Sequence, residues 1–513
     1  MSTDPEKRAK DVESSDAHSL EPASTAYDEF DTPEDRRLLR KIDLRWVSPL
    51  TVNLTIVTLS TQTAPDLDAA LPAVFPGSMG CRSTNIGNAK IDGLTTDLKV
   101  SPASYNTALA LYFIAYVTFE VPANIVLKRF DPQFWLPTLT FAWGVASIAQ
   151  GLVTNRAGLF GIRILLGATE AGLFPGTIYV FSVYYRRKER HWRVAIFFGG
   201  AALSGAFGGI LAYAIGKMDG VGGKRGWQWI FILEGLLTVV VSWIAYFFVP
   251  TWAHKATFLT DVERARLAAR LASDSDAAHH ERFAWVYVRQ AFADPLVWGY
   301  ALLFHGFAFV LYTLSLFMPT IIAGLGFATW KAQLMTVPPN TLAALGIATG
   351  AWLAAKTRRR APLIIGAAAI AIIGYIVLIT TSTPGAQYVG VHFAALGVYT
   401  GNALLLSWPA ENISGQTKRA VGVAMQITIG DLGAVTGVLL YRPAYAAHHF
   451  RKPHIIAVGY LLFAVAVASA LWVWMDRENR RREAVIVAGE DEEVDFDTKV
   501  LLGDREVHWR YQT

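Results

Sequence analysis

Apolar residues in this chain gather in blocks of about twenty, separated by short polar stretches, with no strand-like alternation. A block of that length, wound as a helix, spans the hydrocarbon core of a bilayer, so the pattern predicts membrane-crossing helices. Convincing blocks fall at 104–127, 133–153, 159–184, 194–216 and 228–250, and again at 296–322, 332–354, 361–381, 387–409, 420–442 and 454–476. A threonine-rich segment at 44–60 is a weaker twelfth. Between the two sets lies 251–295, which carries Asp261, Glu263, Arg264, Arg266, Arg270, Glu281 and Arg282 and reads as a solvated loop with a short amphipathic helix. The expected fold is all-α and integral to the membrane: one six-helix bundle over 44–250, a central loop over 251–295, and a second six-helix bundle over 296–476. Residues 1–43 read as a disordered cytosolic tail, and 477–513 as a second cytosolic tail that is flexible over 483–513.

Composition supports this and removes other classes. With 53% hydrophobic and only 17% charged residues, the chain lies outside the soluble norm. Cys81 is the single cysteine, so no internal disulfide forms. The net charge of +5 is small, and its basic residues sit between apolar blocks, which argues for topology signals and against a nucleic-acid surface. Lys128, Arg129, Arg186 to Lys188, Lys356 to Arg360, Lys418, Arg419 and Arg477 to Arg482 share one side, against Lys217, Lys224, Arg225, Arg451 and Lys452 on the other. That bias puts both termini and the central loop in the cytoplasm. Residues 1–43 contain no apolar core for a signal peptide. No nucleotide loop, metal-ligand cluster or Ser-His-Asp arrangement has a supporting context, so neither an enzyme nor a cofactor is expected.

Chemistry enters where charge interrupts hydrocarbon. Arg163 and Glu170 sit inside the block 159–184. A charge at the bilayer centre costs about 2.5–3.5 kcal/mol on insertion scales, so it stays only where it faces a cavity or a partner. Seven residues of helix put both groups on one face, about 10 Å apart. That is too far for the i,i+4 pairing by which they would neutralise each other. A cation and a titratable carboxylate on one wall of a buried helix suit a path for an organic anion and a proton. Arg163 has a packing alternative, bonding the carbonyls of the first helix. Glu120 and Asn124 are spaced i,i+4 at the end of the block 104–127, which suits gating contacts between the halves. His305 and His392 are single histidines on apolar helices, commonly satisfied within the core, though His305 could line a cavity. Glu234 reads as structural, and Asp431 either hydrogen-bonds a substrate or packs. Gly199, Gly200, Gly205, Gly208 and Gly209 fit close helix packing. Trp227 and Trp229 read as interfacial anchors.

Several segments resemble the major facilitator superfamily, and within it the fungal anion:cation symporter branch, the allantoate-permease-like group. They are Phe119 to Arg129 (FEVPANIVLKR), Arg163 to Gly176 (RILLGATEAGLFPG) with Tyr179 and Tyr184 to Arg186, and Gly226 to Gly235 (GWQWIFILEG). Leu314 to Ile322, Gln333 to Pro339, Trp408 with Asn412 and Thr417 to Arg419, and the tail from Leu502 to Tyr511 continue the match. The resemblance covers roughly 85–480 and implies the major facilitator fold, with proton-coupled uptake of a small carboxylate by a monomer in the plasma membrane. The overall run is most similar to nicotinate-permease-like members; allantoate, pantothenate, biotin and tartrate are the alternatives, as is a non-transporting nutrient sensor. For a pyridine carboxylate, Arg163 would clamp the carboxylate. Tyr112, Tyr116, Tyr179, Tyr312, Tyr399 and Trp408 would supply aromatic walls, and Asn402, Gln426 and His305 would add polar contacts. The resemblance also implies that Glu170 carries the coupled proton.

At one place the chain departs from the branch. There an uninterrupted first helix ends in Asp-Arg or Asp-Lys just before an Asn-Ile-Gly-Asn-Ala motif. Here Asn85 to Ala89 is intact but Arg82-Ser83-Thr84 precedes it, and the stretch above carries Pro65, Pro72, Pro76, Asp66 and Asp68. That stretch is too polar and proline-broken to span hydrocarbon. Residues 52–84 therefore read as a retained intron or a frame slip that leaves the first helix abnormal, with a lineage-specific outer loop as the alternative.

Overall fold

The computed structural model describes residues 30–43, 86–186, 189, 193, 208–272, 284–441, 445, 450–489 and 502–513. The weak segment 44–60, the abnormal stretch 52–84, most of the block 194–216 with Gly199, Gly200 and Gly205, and the charges Glu281 and Arg282 lie outside the described residues. The first bundle contains α1 (Pro102–Arg129), α2 (Pro132–Gly151), α3 (Arg156–Glu170), α4 (Leu173–Tyr184) and α5 (Gly226–Phe248), together with helical residues 208–216. The central segment holds α6 (Asp261–Ala272) and a short helix, Trp285–Ala293. The second bundle is α7 (Pro295–Ala323), α8 (Val337–Thr357), α9 (Ala361–Thr380), α10 (Pro384–Asn412), α11 (Gln416–Leu440) and α12 (Arg451–Val487).

Among the described residues, eight helices are long and apolar enough to cross a membrane, counting Arg156–Phe181 as one span. Helices α2 and α8, at 20 and 21 residues, have the length to run beside them. Local chemistry sets their ends. Proline opens α1, α2 and α7, where its missing N–H costs nothing. Ser101, Asn155 and Asp294 accept backbone N–H groups in the first turns of α1, α3 and α7.

The chain connections bring the ends of α1, α4, α5, α8, α10 and α12 to one face, here the tail face; α2, α7, α9 and α11 start there. On the opposite, far face the two bundles meet. Asn106 of α1 donates to the carbonyls of Val438 (2.8 Å) and Tyr441 (3.1 Å) at the end of α11. A Cβ at Gly87 would overlap the Leu316 carbonyl oxygen of α7. Tyr213 packs on Trp330, and Lys90 lies over the Phe317 ring.

Three expectations are corrected here. Residues 33–43 are helical, not part of a disordered tail. Asp35 pairs with Arg266 and Arg270 of α6, Lys41 with Glu263, and Asp43 with Arg193 and Tyr185. The Arg266 and Thr32 hydrogen bonds outweigh the opposing effect of burial and hold the Asp35 carboxyl at about 2. Residues 502–513 are likewise docked rather than free. Buried Lys418 sits between Asp294 and Asp504, at 2.6 Å from each. Arg482 donates to the carbonyls of Asp504, Glu506 and Trp509. Asn412 and Asn479 each make paired bonds with the strap, to Gln512 and Tyr511. Trp227 is buried, with its indole N–H on Asp97 (2.8 Å), so it anchors protein to protein rather than to the lipid interface.

Removing one member of a buried ion group strands the rest, which costs about 3–5 kcal/mol. Lys418→Met leaves Asp294 and Asp504 facing each other and should lower the thermal midpoint of the purified protein. Adding Asp504→Asn to that variant should recover part of the loss. Full stability of Lys418→Met alone would show that the strap contributes little.

Candidate functional site

The site is built on one close approach. Gly167 lies midway between Arg163 and Glu170, and a Cβ there would overlap the Tyr112 carbonyl oxygen of α1. With no side chain at this point, α3 presses its backbone onto α1, and the charged residues before and after it both reach Tyr112. The Arg163 guanidinium lies 5.7 Å from the Tyr112 ring centroid, within cation–π range. The Tyr112 hydroxyl lies beside the Glu170 carboxylate. Arg163 also falls within electrostatic reach of Tyr105 and Glu170. Immediately after Glu170 the helix breaks at Ala171 and Gly172 before α4 begins.

The second bundle closes the cluster from the other side. Phe113, beside Tyr112, packs edge-on against Tyr312 of α7 with centroids 4.8 Å apart. Tyr312 lies beside Asp431 of α11. One turn back along α11, the Thr428 hydroxyl donates to Glu120 at 3.4 Å, a long contact. Arg163, Glu120 and Asp431 are all essentially removed from solvent, at 1% exposure each. Nε and Nη2 of Arg163, Oε1 of Glu120 and Oδ1 of Asp431 have no hydrogen-bond partner among the described residues. Buried polar atoms without partners are rare, so a concentration of them at mid-depth marks a place where a ligand belongs.

Of the residues singled out from sequence, the structure gathers Arg163, Glu170, Tyr112, Tyr116, Tyr312 and Glu120 into this cluster, Tyr116 lying within electrostatic reach of Glu120 and Tyr312. It takes others elsewhere. Tyr179 packs on Trp252 near the tail face. Trp408 donates its indole N–H to the Gln512 carbonyl and packs on Tyr300. His305 turns its Nδ1 to the Ile429 carbonyl and its ring to Tyr460, while His392 bonds the Tyr388 carbonyl one turn back. Asn124 folds its amide onto the Glu120 carbonyl of its own helix. Gln426 donates to the Leu405 carbonyl of α10 at 3.3 Å. Tyr399 and Asn402 are buried in α10, and neither amide atom of Asn402 has a partner among the described residues.

Sequence reasoning missed Tyr105 and Thr428 and left Asp431 undecided. A signal for Tyr105 existed: Tyr105 and Tyr112 repeat the seven-residue spacing of Arg163 and Glu170, as two helices packed side by side would require.

A polytopic helical bundle with a polar cluster at mid-depth, shared between its two halves, defines a membrane transporter. Comparison gives the family. Residues 77–438 match the model of the Major Facilitator Superfamily, and the chain belongs to it. An uncharacterised transporter of Schizosaccharomyces pombe is 35% identical over 75% of this chain and 78% of its own length. The MFS-type transporter cnsO of Penicillium expansum is 32% identical over 90% of this chain and 87% of its own. The major facilitator-type transporter hxnP of Emericella nidulans is 30% identical, over 83% and 88%. Among solved structures, a bacterial homolog of the human lysosomal transporter Spinster, in an inward-facing and occupied conformation, superposes with a TM-score of 0.61. It is 16% identical and covers 83% of this chain and 96% of its own, a likeness of fold.

The Gly167 contact can be tested directly. Gly167→Ala should push α1 off α3 and destabilise the protein by about 1–3 kcal/mol, the usual cost of overpacking. Gly161→Ala, on the same helix with nothing within 4 Å of its Cβ, should not lower the thermal midpoint and gains helix propensity instead. Equal midpoints for both variants would remove the close approach as the organiser of the site.

Proposed function

We propose that this chain is a proton-coupled symporter of the anion:cation symporter branch, carrying a small organic carboxylate, with nicotinate the first candidate. The observation that carries the reading is the buried Arg163 guanidinium, which has two donor nitrogens without a partner among the described residues. A guanidinium offers a planar fork that matches a carboxylate bidentately, so a carboxylate substrate is the ligand that would complete it. Phe113, Tyr112, Tyr116 and Tyr312 give the cluster the flat aromatic surface a pyridine ring requires. Glu170, beside the same Tyr112, is the group that would exchange the coupled proton. The distribution of basic residues supports cytoplasmic termini, and the branch resemblance supports a monomer in the plasma membrane.

Uptake of labelled nicotinate in cells lacking their own carboxylate permeases tests the reading, with unlabelled allantoate, pantothenate, biotin, tartrate and nicotinamide as competitors. Nicotinamide should compete poorly, because an amide offers the guanidinium no charge. Equal competition by acid and amide would remove the clamp. Arg163→Lys keeps the charge but loses the fork and should weaken binding by about 1.5–3 kcal/mol, the scale of a hydrogen bond to a charged group.

Glu170→Gln keeps shape and hydrogen bonding but cannot exchange a proton. It should retain counterflow exchange and lose accumulation against a gradient. Accumulation at wild-type strength in that variant would place the coupling elsewhere. A wild-type protein that binds a carboxylate without moving it would favour the sensor.

A further inference from the structure

The cluster holds two phenol–carboxylate pairs of the same kind, one on each half of the molecule. In the first bundle Tyr112 of α1 lies beside Glu170 of α3; in the second, Tyr312 of α7 lies beside Asp431 of α11. The pairs face each other. Asp431 lies within electrostatic reach of Glu170, and Tyr112 within reach of Tyr312. Their rings meet through Phe113, which touches Tyr112 at 4.9 Å and Tyr312 at 4.8 Å. We propose that Asp431 is a second proton-binding site, the counterpart of Glu170 on the other half, so that each half carries its own protonatable carboxylate and the two are in contact through Tyr112 and Tyr312.

The charge balance supports this. Facing Asp431 are Tyr312 from α7, Glu120 and Tyr116 from α1, and Glu170 from α3. His305 of α7 packs against α11 at the Ile429 carbonyl, with its ring on Tyr460, and α10 meets α11 with a carbonyl, that of Leu405. Three carboxylates therefore share the cluster with Arg163, which sits on the Glu170 side, while Lys90 lies further off over the Tyr105 ring. An uncompensated carboxylate in the interior is costly, and a carboxylate substrate brings one more negative charge. A proton neutralises a carboxyl without any further protein group. Asp431 suits that role in its position: it is buried, Oδ1 has no partner among the described residues, and the Tyr312 phenol lies beside it. The inference rests on the proton-coupled reading of Glu170, but it concerns a different carboxyl and can fail separately.

Infrared difference spectra of the whole protein in lipid nanodiscs, recorded between two pH values without substrate, report protonated carboxyl groups directly. Aspartate labelled with carbon-13 at the side-chain carboxyl separates Asp from Glu bands. The wild type should show a labelled carboxyl band that Asp431→Asn loses, Asp431→Glu replaces with an unlabelled one, and Tyr312→Phe shifts. Glu170→Gln should remove a separate, unlabelled band. An aspartate spectrum unchanged by Asp431→Asn would overturn the proposal. If that variant does not fold, an aspartate spectrum unmoved by both Asp431→Glu and Tyr312→Phe would overturn it equally. Absence of any band sensitive to Glu170→Gln would instead count against Glu170 as the coupling group, with the Asp431 result read on its own.

Discussion

The arrangement depends on what it costs to keep a guanidinium away from water. Arg163 cannot turn its head to the lipid, so the surrounding helices must supply everything it needs. They do so by proximity: with no side chain at Gly167, the backbones of α1 and α3 touch, and an aromatic face and a carboxylate come within its reach. The same close packing leaves two of its nitrogens unmatched among the described residues. The site is therefore held in place by backbone contact yet incomplete in its hydrogen bonding. A preorganised site needs both, because binding energy is then not consumed in ordering the protein.

How legible this was in the sequence depends on the range of the physics involved. Hydrophobic blocks are local and long, so the blocks assigned to α1, α5, α7, α9, α10, α11 and α12 could be read from length and composition, as could the span formed by α3 and α4. Arg163 and Glu170 stood out because a charge in an apolar run is unusual on one-dimensional grounds alone. What could not be read was pairing between distant polar residues. Nothing in the run from Leu502 to Thr513 says that Asn412 and Asn479 will bond its backbone or that Lys418 will meet Asp504. Polar composition there looked the same as disorder. Trp408 misled for a related reason: an indole in a membrane helix suggests an aromatic wall, but its N–H had a carbonyl of the strap to satisfy. Asp431 stayed ambiguous because its meaning depends on Tyr312, more than a hundred residues away in sequence.

The ties at the two faces differ in what they hold together, and that difference bears on movement. On the tail face the N-terminal segment ties the first bundle to the central segment, and the C-terminal strap braces the second bundle. Residues 30–43 bind α6 and the residues after α4, whereas the strap binds Asp294, Arg360, Trp408, Asn412, Lys418, Asn479 and Arg482, all of the second half. These contacts stiffen two bodies without fastening one to the other. Across the halves, the far-face contacts include one asparagine bonded to two carbonyls and a few ring contacts. A neutral hydrogen bond contributes about 0.5–1.5 kcal/mol net, so the Asn106 contact is worth a few kcal/mol at most. Moving a two-state equilibrium from one side to the other takes a differential binding energy of about 5.5 kcal/mol. On the reading proposed above, a carboxylate on Arg163 together with protons on the facing carboxyls would act on that scale, at a level where both bodies contribute to the same cluster. Stiff halves with shared charge between them are what a carrier needs if its cargo is to decide which side is open.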